Sequence, residues 1–388
     1  MPNLTHLDAT PIEDDYLDRL LITHGFGARL DESLVTPPYA RIFRLHAEIR
    51  RASLEGLGSL RSGAANRVSS CYTEATCLNA AAIHTPKQFC IAFPIGTVAL
   101  LYDLFFRMLG TDSVFPELGK ADPEEVPRYT RIPTEAHDLI IEADNPLGVS
   151  YIPPSRERRA IAEYLVVIVH DVLFSHEYQH IDGGHLHFLS QEQKKSSIFE
   201  FGDAPETRDE ELLFQALELD ADAASVRWSL KIVMDARYNL WRYDPCLRSY
   251  LQEPEMALRT WLFALITMFR LTHEHHVRSG EPFRKHPPPL MRLAFMRPMV
   301  EYLFSSYPIQ INPLSLFEIV FDEVQRGFCA VSQELPRREG FSNVSSKPFR
   351  EHMNAVISTW RRIRPELIAL CTEWGGSNAP EVYTPYVQ

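Results

Sequence analysis

The sequence predicts a mainly helical α+β protein, and three features predict it. A long helical stretch, 155–181, carries Ile161, Leu165, Ile168, Val169 and Val172 at three- and four-residue spacing. A second helical run covers Glu210–Val233. Between the N-terminal region and these helices, the short apolar run Gln88–Phe93 reads as a buried strand. A small sheet is expected around residues 86–152, beside the two helices.

Each element has its own justification. Ile12–His24 and Tyr39–Gly56 read as helices separated by Pro37 and Pro38, because proline disfavours helix in the residue before it. Residues 70–85 are small and polar. Pro94 and Gly96 end the strand, and Val98–Leu109 continues at helical spacing. Leu139–Ile141 and Gly148–Ile152 flank Asn145 and Pro146, which suggests a hairpin inside a Pro-rich insertion. Ser155 is placed to cap the long helix, and Gly183 with Gly184 stops it. An acidic loop, Phe201–Asp209, leads to the second helix, and the acidic segment Phe201–Glu211 is a candidate gate. Leu314–Val331 and Pro348–Thr372 read as helices before a frayed tail. Three regions follow: an N-terminal helical region 1–69, a central domain 70–310 and a C-terminal helical region 311–388.

Composition excludes several classes. The formal net charge of −12 argues against nucleic-acid partners and anionic membrane surfaces. The apolar stretches Phe89–Leu109 and Trp261–Leu271 are interrupted or short, so no membrane span is expected. Six cysteines without a CxxC pair give neither a disulfide framework nor a zinc ribbon. They read as small core residues in a reducing compartment. The acidic N-terminus lacks an apolar signal core, so the expected location is cytoplasmic.

Chemistry is concentrated in three segments. The long helix ends in His176-Glu177-Tyr178-Gln179-His180, the pattern HExxH. Histidines four apart share a helical face and can reach one ion, while Glu177 beside them can take a proton from water. The second helix carries Glu218 and Asp222, also four apart, among Ala221, Ala223, Ala224 and Ser225. One carboxylate can bind metal and the other can hold a metal-bound histidine by its N–H. Small neighbours let the two helices approach closely. The third segment is His286-Pro287-Pro288-Pro289-Leu290-Met291-Arg292, a stiffened turn able to aim a donor at a carbonyl. His185 and His187, just after the double glycine, read as surface or packing residues. His273–His276 lacks the four-residue histidine spacing and reads as a polar helix end.

Taken in order, HExxH, ExxxD and HPPxxxR resemble the gluzincin metallopeptidases. The chain is most similar there to the HtpX and CaaX-prenyl protease group and, within it, to the phage-exclusion Lit peptidases. Ala216–Asp222 and the strand-then-helix segment Phe89–Leu109 carry the narrower likeness, and the resemblance spans about residues 85–300. It implies a zincin-like core in which the small sheet lies beside the HExxH helix and a ligand-bearing helix. It implies Zn2+ held by His176, His180 and Glu218, with Asp222 supporting a histidine. It implies Glu177 as general base for attack of zinc-bound water on a peptide bond. His286 and Arg292 are implied to assist near the substrate carbonyl or to brace the core. The substrate implied is a protein or peptide, a host translation factor in the Lit case, and the role implied is phage defence. The chain departs from the group in lacking membrane spans, in carrying Gln179 where glycine is common, and in extending well beyond Arg292. A rival expectation is a catalytically silent metal-binding protein with a regulatory or interaction role.

Overall fold

The run Phe89-Cys90-Ile91-Ala92-Phe93-Pro94 is buried along its whole length, and in the computed structural model of the chain it lies inside a sheet covered on both faces. The structure describes residues 15–31, 48, 68–136, 151–193, 197–199, 207–236, 245–279, 287–304, 312–333 and 346–374. Among these the sheet has four strands: β1 (Val68–Thr73), β2 (Ala81–His84), β3 (Phe89–Pro94) and β4 (Ser197–Phe199). Their spatial order is β1-β3-β2-β4. β1 runs parallel to β3 with Val68 opposite Phe89, and β2 is antiparallel to both β3 and β4. Side chains alternate between faces. Phe89, Ile91 and Phe93 enter the main core. Cys90 and Ala92 join a smaller cluster with Leu17 and Leu21 of α1 (Asp15–Thr23) and with Phe26.

The sheet is therefore displaced from the expected 86–152. β1 and β2 precede that range and β4 lies far beyond it. Ser69, Ser70 and Thr73 disguise β1 as a polar segment, yet all three are buried. Ser69 Oγ donates to Gln88 Oε1 at 2.8 Å, which satisfies the hydroxyl inside the core. The hairpin expected at 139–152 falls almost wholly on 137–150, outside the described residues, as do the expected helix Tyr39–Gly56 and nearly all of the acidic loop.

β3 passes directly into α2 (Ile95–Gly110). The turn needs Gly96, because a Cβ there would lie 2.0 Å from the carbonyl oxygen of Thr76. The remaining helices are α3 (Arg156–Asp182), α4 (His185–Gln193), α5 (Arg208–Ala236), α6 (Pro245–Leu251), α7 (Pro254–Ser279), α8 (Pro289–Phe304), α9 (Pro313–Val331) and α10 (Lys347–Trp374). At the start of α3, Ser155 Oγ accepts the N–H of Arg158 at 3.4 Å. The Arg158 guanidinium in turn donates to the carbonyls of Leu109, Thr111 and Phe115 at 3.0, 2.8 and 3.2 Å. It thus occupies carbonyls that the end of α2 leaves open.

α3 is the central helix. It packs on α2, α5 and α7 and reaches β2 and β3. Every residue from Phe174 to Asp182 is buried, including Ser175, His176, Glu177, Gln179, His180 and Asp182. Such a polar row is costly in an interior unless another element answers it. α5 does so for His176, Gln179 and His180, and its buried Ala216, Ala221, Ala223, Ala224 and Ser225 permit the close approach. α8 and α10 cover other sides of α5, and α10 also packs on α4. Among the described residues no helix is long and apolar enough to cross a membrane. Of the cysteines only Cys71, Cys90 and Cys371 are fully buried, and Cys329 is exposed, so the core reading holds for half of them.

Candidate metal centre

HExxH lies in the last turns of α3, and Glu218 faces it from the middle of α5. The Nε2 atoms of His176 and His180 are 3.1 Å apart. Glu218 Oε2 lies 3.3 Å from the first, and Glu218 Oε1 lies 3.3 Å from the second. All three side chains are buried, and together they form a group able to hold a metal ion. The spacing fits that task. A tetrahedral ion with bonds of about 2.0–2.1 Å sets its ligands about 3.3 Å apart. Two imidazole nitrogens facing each other at this distance also need a hydrogen on one of them or a metal between them.

Each histidine is held from behind by its other nitrogen. His176 Nδ1 lies 3.0 Å from Asp222 Oδ1. Asp222 is gripped by Arg292 of α8, Nε to Oδ2 at 2.8 Å and Nη2 to Oδ1 at 2.7 Å. The Arg292 guanidinium also lies over the Phe269 ring, 5.1 Å from its centroid. On the other side, His180 Nδ1 is 2.9 Å from His185 Nδ1, and His185 Nε2 is 3.3 Å from Asp220 Oδ2. Asp220 accepts from Gln179 Nε2 at 2.9 Å and from Trp360 Nε1 of α10 at 2.8 Å.

The electrostatics follow from this arrangement. Burial alone would push His176 down, but Glu218 and Asp222 outweigh it and hold the imidazole well above its usual range. Burial pushes His180 down to about 4; Glu218 opposes this, and the neighbouring His176 reinforces it. Burial would raise Asp220, yet contacts from His185, Trp360 and Gln179 bring it below the usual carboxylate value.

The structure thus brings together His176, His180, Glu218, Asp222 and Arg292. Glu177 follows His176 on α3 and is 1% exposed. Arg292 faces Asp222, the geometry of a brace. His286 lies outside the described residues. The sequence does not single out Asp220 or Trp360. His185, which reads there as a surface or packing residue, is fully buried. Asp220 stood in the sequence between two assigned acids, and the only signal for it was that a third acid in five residues demanded a partner. Gln179, the departure from glycine, supplies one of those partners. No known protein family, characterised protein or solved structure matches this chain.

Proposed function

We propose that this chain is a zinc-dependent endopeptidase of the gluzincin type, with His176, His180 and Glu218 as the zinc ligands and Glu177 as the catalytic base. The observation that carries the reading is the triangle of donor atoms at 3.1, 3.3 and 3.3 Å, with the HExxH glutamate next to one corner. Two nitrogens and one carboxylate form the ligand set that a catalytic zinc takes, leaving a fourth position for water or substrate. A sheet, the HExxH helix and a second ligand helix form an arrangement we read as a zincin-like core.

When bound, zinc supplies Lewis-acid polarisation of a carbonyl and of water. The chain's own groups do the rest. Glu177 takes a proton from the attacking water and returns it to the leaving nitrogen of the peptide bond. His176 and His180 stay fixed because Asp222 and His185 hold their Nδ1 atoms. Arg292 holds Asp222 in place through two hydrogen bonds. The helical HExxH geometry supports attack by water without a covalent intermediate. By the sequence likeness to the Lit peptidases, the substrate is a protein, with a translation factor as the first candidate and phage defence as the first role to examine.

One observation favours a second reading. His176, Glu177, His180 and Glu218 are 2%, 1%, 0% and 1% exposed, so the described conformation is sealed. A metal that only braces α3 against α5 in a regulatory protein has the same appearance. Cleavage of a denatured proteome by the zinc-loaded chain, read by mass spectrometry, separates the two. New termini made by wild type, and reduced about 10²-fold or more in Glu177→Gln, support the peptidase. Stoichiometric zinc with no cleavage supports the brace.

A further inference from the structure

We propose that His185, Asp220 and Trp360 form a polar relay that orients His180 and fixes its proton on Nδ1, which makes His185 a positioning residue for the metal centre. The inference rests on the metal-site reading and extends it to residues that the HExxH and ExxxD motifs do not specify.

The proton positions follow from donors and acceptors alone. Trp360 Nε1 can only donate, and it donates to Asp220 Oδ1 at 2.8 Å. The Gln179 amide nitrogen also only donates, to Asp220 Oδ2 at 2.9 Å. Asp220 is therefore the acceptor at the end of the chain. His185 Nε2 lies 3.3 Å from Oδ2, an ion-pair contact without hydrogen-bond alignment in this conformation, and the carboxylate favours the tautomer with the hydrogen on that nitrogen. That leaves His185 Nδ1 as a lone pair, 2.9 Å from His180 Nδ1. His180 must hold its hydrogen on Nδ1, and its Nε2 lone pair faces His176 and Glu218. Each bond in the relay selects the next, and the outcome is the tautomer a metal needs.

The backbone is built to place His185 there. Gly184 has φ +76, a left-handed turn that folds α4 back along the end of α3. A Cβ on Gly183 would lie 2.7 Å from Gln179 Nε2 and 2.8 Å from His185 Nε2, two members of the same cluster. A Cβ on Gly184 would lie 2.8 Å from Leu370 Cβ of α10, the helix that carries Trp360. The double glycine therefore does more than stop a helix. It lets α3, α4 and α10 meet at one carboxylate. α10 is joined to the metal ligand through three side chains, so its seating bears directly on metal affinity.

The test uses the full chain with zinc as the only probe. Zinc affinity is measured by chelator competition, and the visible spectrum is recorded after cobalt substitution. The variants are His185→Phe, His185→Gln and Asp220→Asn. Phenylalanine keeps the bulk and removes the relay. Glutamine can accept from His180 and donate to Asp220 at once. Asparagine can present an N–H to His185 Nε2 and reverse the relay. Zinc affinity is expected to fall about 10- to 100-fold in His185→Phe and Asp220→Asn, with an altered cobalt spectrum, and to recover most of the loss in His185→Gln. Circular dichroism establishes that the variants fold, and if His185→Phe does not, Asp220→Asn decides. Wild-type affinity and an unchanged spectrum in a folded relay variant overturn the relay and leave the metal site standing. A wild-type chain that binds no zinc overturns both.

Discussion

Arg292 grips Asp222 with two parallel bonds of 2.7 and 2.8 Å, and the same carboxylate lies 3.0 Å from His176 Nδ1. Three helices, α8, α5 and α3, are thereby joined through one buried acid. Removing the arginine leaves a buried charge without its partner, which typically costs about 3–5 kcal/mol. Arg292→Ala is expected to lower the unfolding free energy by that order in urea titrations of the metal-free chain. Arg292→Lys keeps the charge but loses the fork, so it should fall between the two. A loss below about 1 kcal/mol for the alanine variant would remove the brace from the account.

Metal affinity should rise with pH through the neutral range. In the metal-free chain Glu218 and Asp222 hold His176 well above its usual value, so a proton occupies the position a metal would take. Below that raised value, binding one metal releases about one proton, and affinity gains about tenfold per pH unit. Once pH exceeds it, the gain levels off. Zinc competition assays between about pH 6 and pH 8 check the slope. Affinity independent of pH would contradict the assignment of the proton to the donor triangle.

Two glycines offer an internal comparison. Gly25 and Gly184 both have positive φ, at +78 and +76. A Cβ on Gly25 meets nothing within 4 Å, whereas one on Gly184 meets Leu370 at 2.8 Å. Gly25→Ala should therefore cost only backbone strain, about 1–2 kcal/mol. Gly184→Ala should cost more, because α10 must shift as well. Equal losses in chemical denaturation would show that α10 yields freely at this contact.

Arg158 makes a stability prediction remote from the metal. Its guanidinium serves five carbonyls, those of Leu109 at the end of α2 and of Thr111, Val114, Phe115 and Gly119 in the loop after it. Arg158→Met keeps the apolar stem and leaves those acceptors unserved in the interior. The expected loss is on the order of 3 kcal/mol, with zinc stoichiometry unchanged. A neutral effect on the urea midpoint would mean that water reaches these carbonyls.

The helices that carry the candidate metal ligands are legible in the sequence, and the reason is local. α3 has periodic apolar residues, a serine cap and a double-glycine stop, and HExxH presents its histidines on one face by helical geometry alone. Glu218 and Asp222 were legible as a spaced pair among alanines. The sheet was read only in part. β3 is a continuous apolar run, but β1 hides buried serines, of which Ser69 finds its partners only once Gln88 and the neighbouring strand are in place. β2 is alanine-rich, and β4 has three residues, too few for a period to show. The supporting residues were hidden for a different reason. His185 matters only because a left-handed glycine turns α4 back, and Trp360 reaches Asp220 across 140 positions of sequence. Neither relationship has a local pattern.

The most direct measurement is elemental analysis of the purified chain as wild type, Glu177→Gln and Glu218→Ala. The account predicts about one zinc per chain in wild type and in Glu177→Gln, since Glu177 is not a ligand, and a clear loss in Glu218→Ala, which breaks the donor triangle. A wild-type chain that holds no zinc after reconstitution, or a Glu218→Ala chain that holds as much as wild type, would contradict the metal centre at its root.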